Sequence, residues 1–324
     1  MRHKLFLVFV LLVGSFASAE AQLDLEKGAA LIENEQYDEA RAYFEEANKK
    51  YPDNAEVQYH LGRAAFGQQG WDKAIDFFGN SVELSPENPT FHVWLGHAYI
   101  EKLQVSNMFK KKGLTSKALD SFIKAVEVGP DDVEAREALI GFYLEAPGIA
   151  GGSKEKARKN IEVVKTLDPQ LGHELMAYYY VKRRKLEPAK GEYLALTAME
   201  PSDPEPYYSI GWMYQTDRQF NKAFAAFEQC LEVENHYMPA LYQIGRSAVF
   251  SGENIPRGME CLQIYLTLEP GETEPSLAWA HLRLGMLYEK QRNFTTARAE
   301  YETALALEPD HSEAKKALKK VKRR

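Results

Sequence analysis

The stretch GFYLEAPGIAGGSKEKA, residues 141–157, has the composition of a phosphate cradle: Gly148, Gly151 and Gly152 lead into Ser153 and a lysine-bearing segment. Glycine lets backbone N–H groups approach an anion at a helix N-terminus. The spacing argues against a nucleotide, because Ser153 stands where the phosphate-loop pattern needs a glycine before the lysine. Other combinations also stop short of chemistry. His173-Glu174 lacks the second histidine of a zinc-protease helix, since position 177 is alanine. His92 and His97 are five apart, poorly aligned on a helix for one metal. There is no Gly-x-Ser-x-Gly and no cysteine with an evident base. Asn293-Phe294-Thr295 is a formal glycosylation acceptor, relevant only to a eukaryotic secretory route. The carboxylates alternate with lysines on expected outer helix faces, the pattern of solvated surface. The sequence therefore offers no catalytic residue, no metal site and no cofactor, and the expectation is a protein that is not an enzyme.

The ends and the charge set the class. Residues 1–19 read as a cleaved signal peptide, with Arg2 and Lys4 before an apolar run from Leu5 to Val13 and small residues at Ala17 and Ala19. An alternative cut falls after Ala21. The expected address is exported, the bacterial periplasm or the medium. Neither that run nor any later one is long enough to span a bilayer comfortably, so no stable membrane insertion is expected. Losing Arg2 and Lys4 moves the formal charge from −7 to −9, which disfavours nucleic acid as a partner. Cys230 and Cys261 stand at nearby positions of successive repeats; two buried thiols are the preferred reading, with a disulfide as the alternative.

The dominant feature is an internal repeat. Proline falls at 52, 86, 130, 169, 201, 270 and 309, with Asn235 in the same frame. Twelve residues before each stands a small residue: Ala40, Ala74, Ala118, Ala157, Ala189, Ala223, Gly258 and Ala297. Eight before stands a bulky one: Phe44, Phe78, Phe122, Ile161, Tyr193, Phe227, Leu262 and Tyr301. A second small residue lies upstream, at Gly28, Gly62, Gly96, Ala177, Gly211, Gly245 and Gly285, with Ile140 breaking the series. This spacing predicts a helical hairpin repeated along the chain: small residues let two helices approach, bulky ones fill around the contact, and proline ends the second helix. Each hairpin is too short to persist alone and must stack on its neighbours.

These residues resemble tetratricopeptide repeats, whose period is about 34 residues. YSIGWMYQTDRQFNKAFAAFEQCLEVEN (208–235) and LRLGMLYEKQRNFTTARAEYETALALEPD (282–310) carry the likeness, which extends over 21–311. It implies an all-α, right-handed superhelical solenoid of about eight hairpins, at 21–54, 55–88, 89–132, 133–169, 170–203, 204–237, 238–272 and 278–311, with a basic capping helix at 312–324. The cap alone is preferred to a cap that also contacts an anionic partner.

The resemblance also implies that first helices line a concave groove for a protein or extended peptide. Three positions before and one after the first small residue should point inward, giving partner-binding candidates Tyr59, Arg63, His97, Tyr178, Tyr208, Trp212, Tyr242 and Arg246. Trp279 extends the aromatic stripe. Some of these rings can instead fill the core. Repeats three and four carry insertions, ten and five residues in excess, in the turn between their helices. They should touch, either bracing each other or forming a lateral surface of Lys110, Lys111, Lys112, Gly151 and Gly152. The expected function is a noncatalytic, exported protein-interaction scaffold. A glycan-binding or enzyme-accessory envelope protein and a self-assembling repeat are the rivals, and the oligomeric state is open.

Overall fold

The computed structural model describes residues 24–324, so the signal-peptide reading of 1–19 lies outside the described residues. Among those, all regular structure is helical. The chain divides into two compact units, one ending at Ser153 and one spanning Lys154–Arg324. The first contains α1 (Leu25–Glu33), α2 (Tyr37–Lys50), α3 (Ala55–Gly67), α4 (Trp71–Leu84), α5 (Pro89–Gln104), α6 (Met108–Val128), α7 (Val133–Glu145) and a 3-10 turn at Gly148–Ala150. The second contains α8 (Lys154–Leu167), α9 (Pro169–Lys182), α10 (Leu186–Met199), α11 (Pro204–Thr216), α12 (Phe220–Val233), α13 (Met238–Ser251), α14 (Ile255–Tyr265), α15 (Leu277–Lys290), α16 (Phe294–Leu307) and α17 (Ser312–Val321). Within each unit consecutive helices pack antiparallel as hairpins, and each hairpin packs on the next. The division falls inside the segment 133–169 expected as the fourth repeat.

Caps and turns recur with the sequence period. Side-chain oxygens of Asn54, Asn88, Asp132, Asp168 and Asp203 accept backbone N–H groups at the starts of α3, α5, α7, α9 and α11, at 2.8–3.1 Å. They satisfy donors that a helix start leaves free. Seven residues after the first small residue the chain enters the left-handed region, at Glu35, Gln69, Arg184, Arg218, Gly252 and Arg292, with φ between 55° and 80°. That conformation reverses the chain between the two helices of a hairpin.

Inside each regular hairpin the bulky residue of the second helix sits on the glycine of the first. A Cβ placed on Gly28 would lie 2.3 Å from the Phe44 ring; on Gly62, Gly96, Gly211 and Gly285 it would lie 2.5 Å from Phe78, Phe122, Phe227 and Tyr301. On Gly245 it would meet Leu262 at 2.3 Å. These distances are below any real Cβ contact, so the ring occupies the space a side chain would take. The second-helix alanines at 40, 74, 118, 157, 189, 223 and 297 are fully buried.

The insertion in repeat three is not a loop. It lengthens both helices, to 16 residues in α5 and 21 in α6, and leaves a turn only at 105–107. Nothing in 108–117 breaks a helix except Gly113, whose surroundings are open, and Asn107 caps α6 by accepting from Lys110 N. At the far end, α17 lays Ala314 and Val321 on a cluster with Leu282, Tyr301 and Ala304, closing the last hairpin. Its cations turn back onto the protein: Lys320 and Arg324 pair with Glu289 at 2.8 and 3.7 Å.

Replacing Ala223 by leucine should overpack the α11–α12 crossing and cost roughly 1–3 kcal/mol. Urea denaturation of Ala223→Leu checks this; an unchanged midpoint would mean the crossing has spare room.

Candidate functional site

The glycine-rich turn resolves into a structural device. Gly151 adopts φ 97° and ends the 3-10 turn, and a Cβ on Gly152 would collide with the Ala146 carbonyl oxygen at 1.8 Å. The N–H groups of Ala150 and Gly152 donate to the Pro147 carbonyl, that of Gly151 to Gly148, and that of Ser153 to Tyr143, at 2.8–3.1 Å. These amides are committed to the fold and none is left to cradle an anion. The turn does meet the preceding repeat, through α6: Leu119 lies 2.7 Å from where a Gly151 Cβ would be. Lys110, Lys111 and Lys112 lie at the exposed start of α6, beside Met108 and Phe109, which are 81% and 97% exposed.

The expected groove residues separate by their distance from the glycine contact. Three positions before it, side chains join the core. Tyr59 is 9% exposed, with Phe91 at 5.2 Å and Phe78 at 6.0 Å; Tyr242 is 5% exposed, with Tyr265 at 5.6 Å. Tyr208 is half-buried against Phe227. The alternative that some rings fill the core therefore holds for Tyr59 and Tyr242.

One position after the glycine, side chains face out. Tyr178 on α9 and Trp212 on α11 are large apolar surfaces open to solvent. Arg246 on α13 lies over Phe250, itself exposed, with its guanidinium donating to Gln215 and Gln243. In the first unit Arg63 stacks on Trp94 at 4.7 Å and pairs with Glu33 at 2.9 Å, and His97 is exposed, edge-on to Phe122. Trp279 is half-buried, its ring 4.3 Å from His311. Phe250 escaped the sequence reading, although it lies one helical turn after Arg246 on the same face.

Cys230 and Cys261 are free, buried thiols, and burial pushes both up to about 12. Such thiols are protonated and unreactive at neutral pH. His173 and His281 each contact a second-helix carboxylate at 2.7 Å, Glu192 and Glu300, nineteen residues on in both cases. They tie helices together in repeat register.

Comparison with known proteins agrees with this geometry. Models of the tetratricopeptide repeat match residues 25–89, 204–237 and 278–311. The chain carries tetratricopeptide repeats. Among solved structures, the C-terminal part of a TPR repeat-containing protein from Cytophaga hutchinsonii is similar over 91% of this chain and 99% of its own, at 13% identity and a TM-score of 0.53. At that identity the likeness is one of fold. A thermophilic TPR protein, TTC0263 of Thermus thermophilus, aligns over 59% of this chain and 97% of its own at 21% identity and TM-score 0.47. YrrB, described as a TPR protein with an unusual peptide-binding site, aligns over 62% and 96% at 16% identity and TM-score 0.42.

Beside Tyr59, repeat two buries an uncharged histidine. His60 is 9% exposed, lies parallel on Phe44 at 4.7 Å, and its Nδ1 has no hydrogen-bond partner among the described residues. Burial first, and the Arg63 charge second, lower its pKa from 6.5 to about 4. The unfolded imidazole gains its proton near 6.5 and the folded one only near 4, so this group's contribution is intact above 6.5 and is lost as pH falls between the two values. The loss should reach about 3 kcal/mol. His60→Phe, which keeps the ring stack, should flatten that part of the pH dependence. Urea midpoints of both proteins at neutral and mildly acid pH decide it; identical pH slopes would refute the assignment.

Proposed function

We propose that this protein is a noncatalytic scaffold that holds an extended peptide or a segment of a partner protein along the first-helix faces of its repeats. Its working place is outside the cytoplasm, in the bacterial periplasm or beyond, on the strength of the N-terminal sequence. The observation that carries the reading is the row Tyr178, Trp212 and Arg246 with Phe250. Tyr178, Trp212 and Arg246 occupy equivalent positions on α9, α11 and α13, and the rings of Tyr178, Trp212 and Phe250 are open to solvent. Tyrosine, tryptophan and arginine are the residues in which binding energy concentrates, because they combine large contact area with polar tips for a peptide backbone. Neighbouring helices lie about 8–10 Å apart and an extended chain advances about 3.3 Å per residue. A bound strand would therefore present roughly every third side chain to a new repeat.

Trp212→Ala should weaken binding of a partner captured from the native envelope by about 2 kcal/mol or more. Glu45→Ala, on the exposed face of α2, should leave it unchanged. Affinities measured beside thermal melts separate binding from folding. If Trp212→Ala lowers the melting temperature but leaves the affinity of the folded protein intact, the ring is structural and the groove loses its anchor.

A further inference from the structure

A cavity of about 200 Å³ lies among α11, α13 and the segment that follows α14. Tyr208, Tyr237 and Tyr242 form its aromatic walls, Gln243 also lines it, and Glu205 and Glu274 bring carboxylates to it. No lysine, arginine or histidine lines it. Tyr208 and Tyr237 meet edge to face at 6.0 Å, a corner rather than a flat stack. The Tyr237 hydroxyl donates to Glu205 Oε2, which orients that carboxylate. Neither Glu205 nor Glu274 takes part in an ion pair among the described residues. The neighbouring phenols register the unbalanced charge: burial, then Glu205, raises Tyr237 well above the usual tyrosine range, and burial, then Glu274, raises Tyr265. Arg246, whose charge also reaches Tyr208, is held by Gln215 and Gln243 and does not enter the cavity.

The negative faces of aromatic rings attract cations, and a carboxylate at the mouth of an aromatic corner adds a charge-assisted hydrogen bond to a guanidinium or ammonium. A drug-sized ligand needs about 300–1,000 Å³, so this space suits the end of one side chain. We propose that the cavity is a specificity pocket for a single basic side chain, arginine or lysine, of the segment bound along the repeats. The proposal deepens the scaffold reading and relies on it for the delivery of that side chain; the pocket's affinity for a free cation is independent of it. Tyr208 and Tyr242 then act from the inner side of the groove, although they are too enclosed to serve as open contact rings.

The test uses the full chain labelled with ¹³C at the tyrosine ring and titrated with N-acetyl-arginine methylamide. Signals are assigned by Tyr→Phe variants. N-acetyl-norleucine methylamide and sodium chloride at matched ionic strength serve as controls. Saturable shifts of the Tyr208 and Tyr237 signals, specific to the arginine amide and weakened at least about tenfold in Glu205→Gln/Glu274→Gln, are the expected result. The glutamine at 205 keeps an acceptor for the Tyr237 hydroxyl, so the fold is preserved. Shifts that do not saturate, that norleucine or salt reproduces, or that survive in the double variant overturn the pocket. The same titration on Trp212→Ala should be unchanged. Loss of partner binding there with the arginine response intact separates failure along the groove from failure of the pocket.

Discussion

A ring seated on a glycine is the contact from which the rest of each regular hairpin follows. Phe44, Phe78, Phe122, Phe227 and Tyr301 occupy the space where a side chain on Gly28, Gly62, Gly96, Gly211 or Gly285 would stand. The glycine costs helix stability, about 1 kcal/mol relative to alanine. What it permits is an approach close enough to bury an aromatic ring completely, and a buried side chain of that size contributes about 1.5–3 kcal/mol. The exchange recurs along the chain, and in repeat seven Leu262 makes it with Gly245. Buried alanines on the second helices keep the other side of the crossing equally close.

The same contact sorts the surface that a partner would meet. With about 3.6 residues per turn, the residue three before the glycine lies roughly 60° from the contact line and the residue after it roughly 100°. The nearer position is drawn into the packing between hairpins, where Tyr59, Val93, Tyr242 and Leu282 are buried. The farther one stays at the border with solvent, which is where Tyr178 and Trp212 stand. A packing rule internal to the hairpin thereby places the open rings on α9 and α11 at the same helical angle. It sets the enclosed rings Tyr208 and Tyr242 one step deeper, against a cavity edged by carboxylates.

Much of this was legible in the sequence because it depends on residue size at fixed spacing. The small and bulky series locates the hairpins, and the prolines in the same frame mark where second helices end. The interhelix reversal was not legible: glutamate, glutamine, arginine and glycine all occupy the left-handed position, so no residue type announces it. The insertion in repeat three reads as extra turn length, yet it adds helix, since propensity within 108–117 is never interrupted strongly enough to stop α6. Tyrosine at the inward-facing positions was ambiguous, because one ring with one polar tip suits core and surface alike. The cavity was invisible for a different reason. Its carboxylates come from Glu205 at the start of α11 and Glu274 after α14, nearly seventy residues apart, and only the stacking of repeats joins them.

Gly211 and Phe227 offer the most direct measurement of the central contact. The quantity is the change in unfolding free energy on Gly211→Ala, measured once in the wild-type background and once with Phe227→Ala. Alanine is the better helix former, so the substitution should stabilise any helix in which its methyl group has room. The expected result is a change of sign: Gly211→Ala destabilises the wild-type protein, where the Phe227 ring fills the space, and stabilises the Phe227→Ala background by up to about 1 kcal/mol. If Gly211→Ala has the same effect in both backgrounds, the ring and the glycine are not coupled, and the contact does not set the hairpin.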